Sequence, residues 1–154
     1  MKFTLGASLH TVHGSFAMKS GTVHFDPATQ KVSGEIFINA TSGQIGNDGR
    51  DRKMHKEVSE SERYPDIVFL PDRVEGQFVA TGASTLQVHG LFTIHGAEHE
   101  ITIPVQVDMS PGHWTAASHF AVPYVKWGMK NPSTFILRVD QSVDIEVQAS
   151  GDVP

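Results

Sequence analysis

A chain of 154 residues can form one hydrophobic core and is too short for two domains with a cleft between them. Apolar residues make up 39% and charged residues 19%, a composition that favours a folded globular protein over an intrinsically disordered one. The net charge of -5, with scattered Lys and Arg, argues against nucleic-acid binding, and the absence of Cys excludes disulfides, thiolate catalysis and Cys-ligated metals.

The start of the chain shows no pattern typical of a targeting sequence. No stretch approaches the ~18 consecutive apolar residues of a membrane span, so we expect no stable membrane insertion. The first ten residues, MKFTLGASLH, lack the long apolar region of a signal peptide. Because a strand pattern begins already at Lys2, we expect the natural sequence to extend further upstream, where a removed export signal could lie.

The first half of the chain shows apolar residues at every second position, which predicts half-buried strands. Turn residues separate the runs, as at Asp26 and Pro27, where Asp can close an Asx turn and Pro presets the backbone angle. The positions predicted to share apolar faces in this half are Phe3, Leu5, Ala7, Val32, Ile36, Ile38, Ala40, Ile67 and Phe69.

One segment, NDGRDRKMHKEVSESERYP, is charged and lacks the alternation. Met54 and Val58 lie four residues apart, which is helical spacing. Asp51 near the start favours the helix dipole, and Pro65 forbids continuation. These features predict one short amphipathic helix near residues 50–61.

The second half returns to the strand pattern, with a turn at His95 to Glu98 and its strictest alternation in the last strand, QSVDIEVQAS. The positions predicted to share apolar faces in this half are Leu86, Val88, Phe92, Ile94, Ile101, Ile103, Val105, Val107, Trp114, Ala116, Phe120, Val122, Val143, Ile145 and Val147. The pattern therefore predicts an all-β domain over residues 1–154.

About eight strands and one helix fit either a sandwich or a closed barrel. Closure removes exposed strand edges, and an eight-stranded barrel has an interior just wide enough for side chains or for one small ligand. Alternation alone leaves a barrel filled by its own side chains and a hollow barrel both open.

Several motifs resemble the YceI-like family of lipid-binding proteins. They occur in the order VHGSF, GTVHFDP, ATSGQIGNDGRDRKMH, ERYPDIVF, HGLFTIHGAEHEITIPV, WGMKNPS and VDIEVQ. Each motif alone is weakly specific, but their order and spacing extend over nearly the whole chain.

The resemblance implies a single eight-stranded, antiparallel, lipocalin-like barrel that holds an amphiphilic lipid, such as an isoprenoid quinone or polyprenyl compound, for transport, storage or protection. It implies no catalysis and no cofactor, and a periplasmic or secreted location. Where the family often has an Arg and an Asp in the penultimate loop, VPYVKWGM has Tyr124 and Lys126, which can each donate a hydrogen bond to a head group.

The resemblance favours a hollow barrel, in which we expect Met54 to act as an adaptable gate and Trp127 as a wall and lid. An exposed strand face could also pair two barrels into a homodimer. The predicted ligand-binding residues are Phe16, Ile36, Ile38, Met54, Val58, Ile67, Phe69, Val88, Phe92, Ile94, Tyr124, Trp127 and Phe135.

Two alternative functions remain open at this level. Nine His residues suggest a metal- or stress-responsive module, although His10 and His13 would face opposite sides of a strand and no metal site is predicted. Asp51 and His55, four residues apart, would be the acid and base of a lipid-modifying enzyme. Phosphate-binding glycine motifs are absent from the sequence.

Overall fold

The computed structural model describes residues 1–6, 11–46, 48–133 and 139–153. Within these residues, eight strands and one helical segment follow one another. The strands are β1 (Lys2–Gly6), β2 (Thr11–Asp26), β3 (Lys31–Gln44), β4 (Asp66–Glu75), β5 (Gly82–Ile94), β6 (Ala97–Ser110), β7 (His113–Val122) and β8 (Val143–Asp152), with helix α1 (Asp48–Lys53) between β3 and β4.

The strands form a closed antiparallel barrel in which each strand pairs with its neighbours in the sequence. The barrel closes where β1 pairs with β8, with Thr4 opposite Asp144. Closure pairs the backbone N–H and C=O groups that an open sheet would leave without hydrogen-bond partners at its two edges. The predicted eight-stranded barrel with one short helix is therefore confirmed.

Side chains of alternate residues point into the barrel and out to solvent. In β8, Ile145 is buried while Asp144 and Glu146 are exposed. In β7, Ser118 and Val122 face inwards, and the Ser118 hydroxyl donates to the carbonyl oxygen of Pro104 at 2.6 Å. This bond satisfies a polar group that would otherwise be costly inside the barrel.

The helical segment begins at Asp48 and continues beyond α1 as a π-helical turn, Met54–Val58. The amide of Ser59 donates to the carbonyl oxygen of Met54, five residues back, at 2.8 Å. Asp51 does more than favour the dipole, because its carboxylate accepts a hydrogen bond from the Ile45 amide at 2.7 Å. This contact fixes the chain where it leaves β3 and enters the helix.

The turn between β5 and β6 consists of His95 and Gly96, which both have positive φ, 53° and 75°. Two left-handed residues form a type I′ turn, which suits the twist of a hairpin. A Cβ atom on Gly96 would lie 2.5 Å from the Tyr64 ring, so the position also requires the absence of a side chain. The turn thereby packs closely against the segment that precedes β4.

We expect Gly96→Ala to destabilise the fold more than Gly112→Ala. Both glycines have nearly the same φ, 75° and 77°, but a Cβ atom on Gly112 would meet nothing within 4 Å. The left-handed conformation should cost each variant about 1 kcal/mol, and the contact with Tyr64 should cost Gly96→Ala about 1–2 kcal/mol more. Urea unfolding measures the difference, and equal losses in the two variants would refute the importance of the Tyr64 contact.

Candidate ligand-binding cavity

The barrel encloses a cavity of about 290 Å³ at the end covered by the helical segment. Apolar side chains from seven strands, all except β6, reach it, including Leu5, Phe16, Ala40, Ile67, Ile94, Val122 and Ile145. The helical segment adds Met54 and Val58 from above. The volume is near the lower end of the range of about 300–1,000 Å³ for small-molecule sites.

The cavity stops at an aromatic floor. Phe92 lines it, whereas Phe69, directly opposite Phe92 across β4 and β5, does not. The Phe92 ring lies 6.5 Å from Phe69, 6.4 Å from Phe120 and 5.8 Å from Trp127, measured between ring centroids. Such distances are typical of packed aromatic clusters.

Beyond this floor the barrel is filled by its own side chains. Val74 and Leu86 are buried towards the other end and do not line the cavity. At that end the rings of Phe25 and Phe78 meet edge to face at 5.1 Å. The barrel is therefore hollow at one end and packed at the other. The alternating pattern in the sequence allowed either a hollow or a filled barrel, and the structure contains both arrangements.

The structure brings together at the cavity only part of the predicted ligand-binding set. The predicted residues that line it are Phe16, Met54, Val58, Ile67, Phe92, Ile94 and Tyr124. Ile38 and Phe69 are buried in the core, and Ile36, Val88 and Trp127 pack against that core without lining the cavity. Phe135 lies outside the described residues.

Further lining residues were not predicted. Ala40, Val122, Val143 and Ile145 lie on faces that the alternation marks as apolar, so a signal for them existed. Arg50, Lys53, Ser59, Tyr64 and His95 are polar or charged and gave no such signal. Arg50 and Lys53 line the cavity and are also exposed to solvent, so the cavity is open to solvent beside α1.

His55 ties the helical segment to the barrel. Its Nε2 lies 2.7 Å from the carbonyl oxygen of Gly43, and its Nδ1 lies 2.7 Å from the hydroxyl of Ser61, a residue only 2% exposed. A carbonyl can only accept, so Nε2 carries a proton and donates it to Gly43. Both ring nitrogens of His55 are therefore engaged in structural bonds, and Asp51 binds the Ile45 amide rather than His55.

A second contact joins this segment to the β5–β6 turn. The Glu60 carboxylate lies within hydrogen-bond distance of His95 Nε2, and the centroids of the Tyr64 and His95 rings lie 4.5 Å apart. His95 and Tyr64 both line the cavity. The rim of the cavity is thus held by polar contacts on two sides of the helical segment.

The loop after β7 closes a third side. The Tyr124 hydroxyl donates to the carbonyl oxygen of Asp140 at 2.6 Å, so its proton is already bound within the protein. Trp127 stacks on His99 at 4.1 Å between ring centroids, with the planes 4° apart. Burial lowers the pKa of His99, which favours a neutral ring in this stack.

The pKa of Tyr124 predicts a loss of stability in alkali. Burial, with a smaller contribution from the negative charge of Asp140, raises this pKa to about 12 from an ordinary value of about 10. The folded state therefore keeps a proton that the unfolded chain releases. The stabilisation is complete below pH 10 and is lost as the pH rises towards 12, by up to about 1.4 kcal/mol per unit.

Tyr124→Phe isolates this effect from the other groups that titrate in alkali. We expect the unfolding free energy of the wild type to fall more steeply between pH 10 and 12 than that of Tyr124→Phe, as measured by urea unfolding. The variant should be less stable at pH 8, because it lacks the bond to Asp140. Parallel pH profiles for the two proteins would contradict the assignment.

The histidines do not form a metal centre in the described part of the chain, where no group of three or more His, Asp or Glu side chains is placed to hold an ion. His89 pairs with Asp72 at 2.6 Å and His113 with Asp152 at 3.1 Å, each on its own part of the barrel.

Within the described residues, no helix is both long and apolar enough to cross a membrane.

A closed eight-stranded barrel with an apolar end cavity under a short helix defines a lipocalin-like class of protein. Residues 1–150 match the family model of the YceI-like domain, and the chain belongs to that family. No curated protein sequence matches the chain significantly.

Solved structures share the fold at low sequence identity. Burkholderia cenocepacia BcnA is 19% identical, with a TM-score of 0.77 over 97% of this chain and 95% of its own. A Campylobacter jejuni YceI protein is 16% identical, with a TM-score of 0.78 over 96% and 88%. A polyisoprenoid-binding domain from Saccharophagus degradans, implicated in plant cell wall breakdown, is 12% identical, with a TM-score of 0.77 over 99% and 92%.

Proposed function

We propose that this protein binds an amphiphilic lipid, an isoprenoid quinone or polyprenyl compound, and carries, stores or protects it without making or breaking a bond. The observation that supports this most directly is the apolar cavity under the helical segment. The YceI-like family and the polyisoprenoid-binding neighbour point to the same ligand class.

The physical argument is that burial of a prenyl tail is non-directional and adds along the chain. Each buried CH₂ contributes about 0.8 kcal/mol, so one five-carbon unit gains about 4 kcal/mol before ordering costs. Affinity therefore needs no specific polar contact. The absence of catalysis in this proposal is supported by Asp51 and His55, which bind other groups instead of each other.

The size of the cavity predicts how affinity depends on tail length. If each non-hydrogen atom takes about 30 Å³, as a water molecule does in the liquid, the cavity holds about ten such atoms, or two isoprene units. We expect affinity for prenyl alcohols to rise at least about tenfold from one unit to two, and much less with each later unit.

Isothermal titration with prenyl alcohols of one to four units tests the proposal. A steep rise followed by a plateau supports a tail seated above Phe92. No binding by any member of the series would refute the proposed function. A steady increase through four units would retain lipid binding but contradict the aromatic floor.

We further propose a periplasmic or secreted location and no required cofactor besides the lipid itself. The location rests on family membership. Fractionation of the natural host with an antibody to this protein tests it, and recovery in the cytoplasm alone would refute it.

A further inference from the structure

The barrel wall is split beside the cavity, between β6 and β7. In the described part of the chain, pairing of these two strands ends at Val105 and Ser118. Beyond that pair, β6 continues to Ala97 along β5, and β7 continues to Val122 along β8. Pro104 explains the split, because its carbonyl oxygen accepts from the Ser118 hydroxyl and it has no N–H to continue the ladder. The sequence therefore leaves a wedge-shaped opening that widens towards the cavity end of the barrel.

The side chain of Trp127 lies in this opening. Its ring stacks on His99 of β6 at 4.1 Å and lies 5.8 Å from Phe92, measured between ring centroids. Tyr124 and Met129 of the same loop line the cavity, whereas Trp127 does not. The cavity therefore reaches the inner side of the loop, and the indole of Trp127 closes its outer side.

The Trp127 side chain is held by ring contacts, because its indole N–H donates to no residue that the structure describes. The ring beneath it weakens this hold. Nε2 of His99 is buried and, among the described residues, has no hydrogen-bond partner. A buried polar atom without a partner is costly, and this one regains water when the indole turns outwards. The closed position is therefore only weakly favoured over an open one.

The helical segment over the cavity is held more firmly than Trp127. Asp51 and His55 both hydrogen-bond this segment to the chain at the end of β3. The opening beside α1 is lined by the charged side chains of Arg50 and Lys53, which are worse neighbours for an apolar tail than aromatic rings are. A tail would therefore pass more easily through the split wall than under the helical segment.

We propose that the Trp127 side chain is a gate, and that the ligand enters and leaves the cavity sideways, between β6 and β7, when the indole turns outwards. This rests on the proposed function and adds the route by which its ligand is exchanged. The gate opens by rotation of one side chain, so the barrel and the helical segment keep their hydrogen bonds while the ligand passes.

Two variants should change the exchange rates of geraniol in opposite directions. Trp127→Ala should raise both the association and the dissociation rate about tenfold and leave affinity within about threefold, because it removes the gate and not a lining residue. His99→Phe keeps a ring for the stack and removes the unpaired nitrogen. It should therefore slow both rates about fivefold. NMR exchange spectroscopy with ¹³C-labelled geraniol measures the two rates.

The control for the route is Met54→Ala, which removes a lining side chain from the helical segment. It should weaken affinity through faster dissociation but leave the association rate within about twofold of wild type. Circular dichroism and urea unfolding establish that all three variants are folded. An association rate that rises in Met54→Ala and not in Trp127→Ala would assign the route to the opening beside α1 and overturn the gate.

A measurement without ligand tests the motion of the indole itself. Trp114→Phe leaves Trp127 as the only Trp in the chain, so its fluorescence can be quenched selectively with acrylamide. The quenching constant should fall when His99→Phe is added. Equal quenching, or exchange rates unchanged in both Trp127→Ala and His99→Phe, would overturn the gate and leave lipid binding intact. Failure of geraniol to bind the wild type would refute the proposed function and the route together.

Discussion

Val58→Trp should weaken binding of a prenyl ligand by about 50-fold while leaving the barrel folded. Val58 lines the cavity from the π-helical turn and is only half-buried, so a larger ring has room to turn into the cavity. If the indole excludes three ligand carbons, the loss is about 2.4 kcal/mol at about 0.8 kcal/mol per CH₂. Titration of wild type and variant with the same prenyl alcohol measures it.

The control for this variant is Val79→Trp. Val79 is 40% exposed and does not line the cavity, so a Trp there adds the same ring at a distance from the ligand. We expect its affinity to equal that of the wild type. Unchanged affinity in Val58→Trp, with the variant folded, would show that the ligand does not occupy this cavity.

Phe92→Ala should cost about 3–5 kcal/mol of unfolding free energy, the largest loss that we expect from a single substitution in this barrel. Phe92 is 4% exposed and its ring contacts Phe69, Phe120 and Trp127. Removing it deletes buried apolar area and leaves a void that the surrounding rings can only partly fill. Urea unfolding measures the loss, with Val79→Ala as the exposed control, expected within about 0.5 kcal/mol of wild type.

The same substitution has a second expected consequence. Because Phe92 forms the floor, its removal extends the cavity towards the packed end of the barrel. We therefore expect the third isoprene unit to add more affinity in Phe92→Ala than in the wild type. A loss below about 1 kcal/mol with an unchanged dependence on tail length would contradict the position of the floor.

The period of two in the sequence predicts which side of each strand faces inwards. The structure agrees for Ile145 against Asp144 and Glu146, and for Ile67 and Phe69 in β4. The period of two does not predict how far along the barrel axis a residue lies, because every second residue of a strand shares the inner face at any position along that axis. Only the register shows that Ile36 lies opposite Phe69 and Phe69 opposite Phe92, at and below the floor.

A search for apolar patterns could not predict which residues lie at the mouth of the cavity. Met54 and Val58 were found through their helical spacing, and both line the cavity. Arg50 and Lys53 share their side of the segment, but charged residues near a helix are usually solvated and do not by themselves indicate a site. Contacts such as Glu60 with His95 join residues far apart in the sequence and follow only from the fold.

The most direct test of this account is mass spectrometry of an organic extract from protein freshly purified from its natural host. The account predicts a single prenyl lipid at about one molecule per chain. Extracts that are repeatedly empty, from protein that also fails to take up added prenyl lipids, would contradict it.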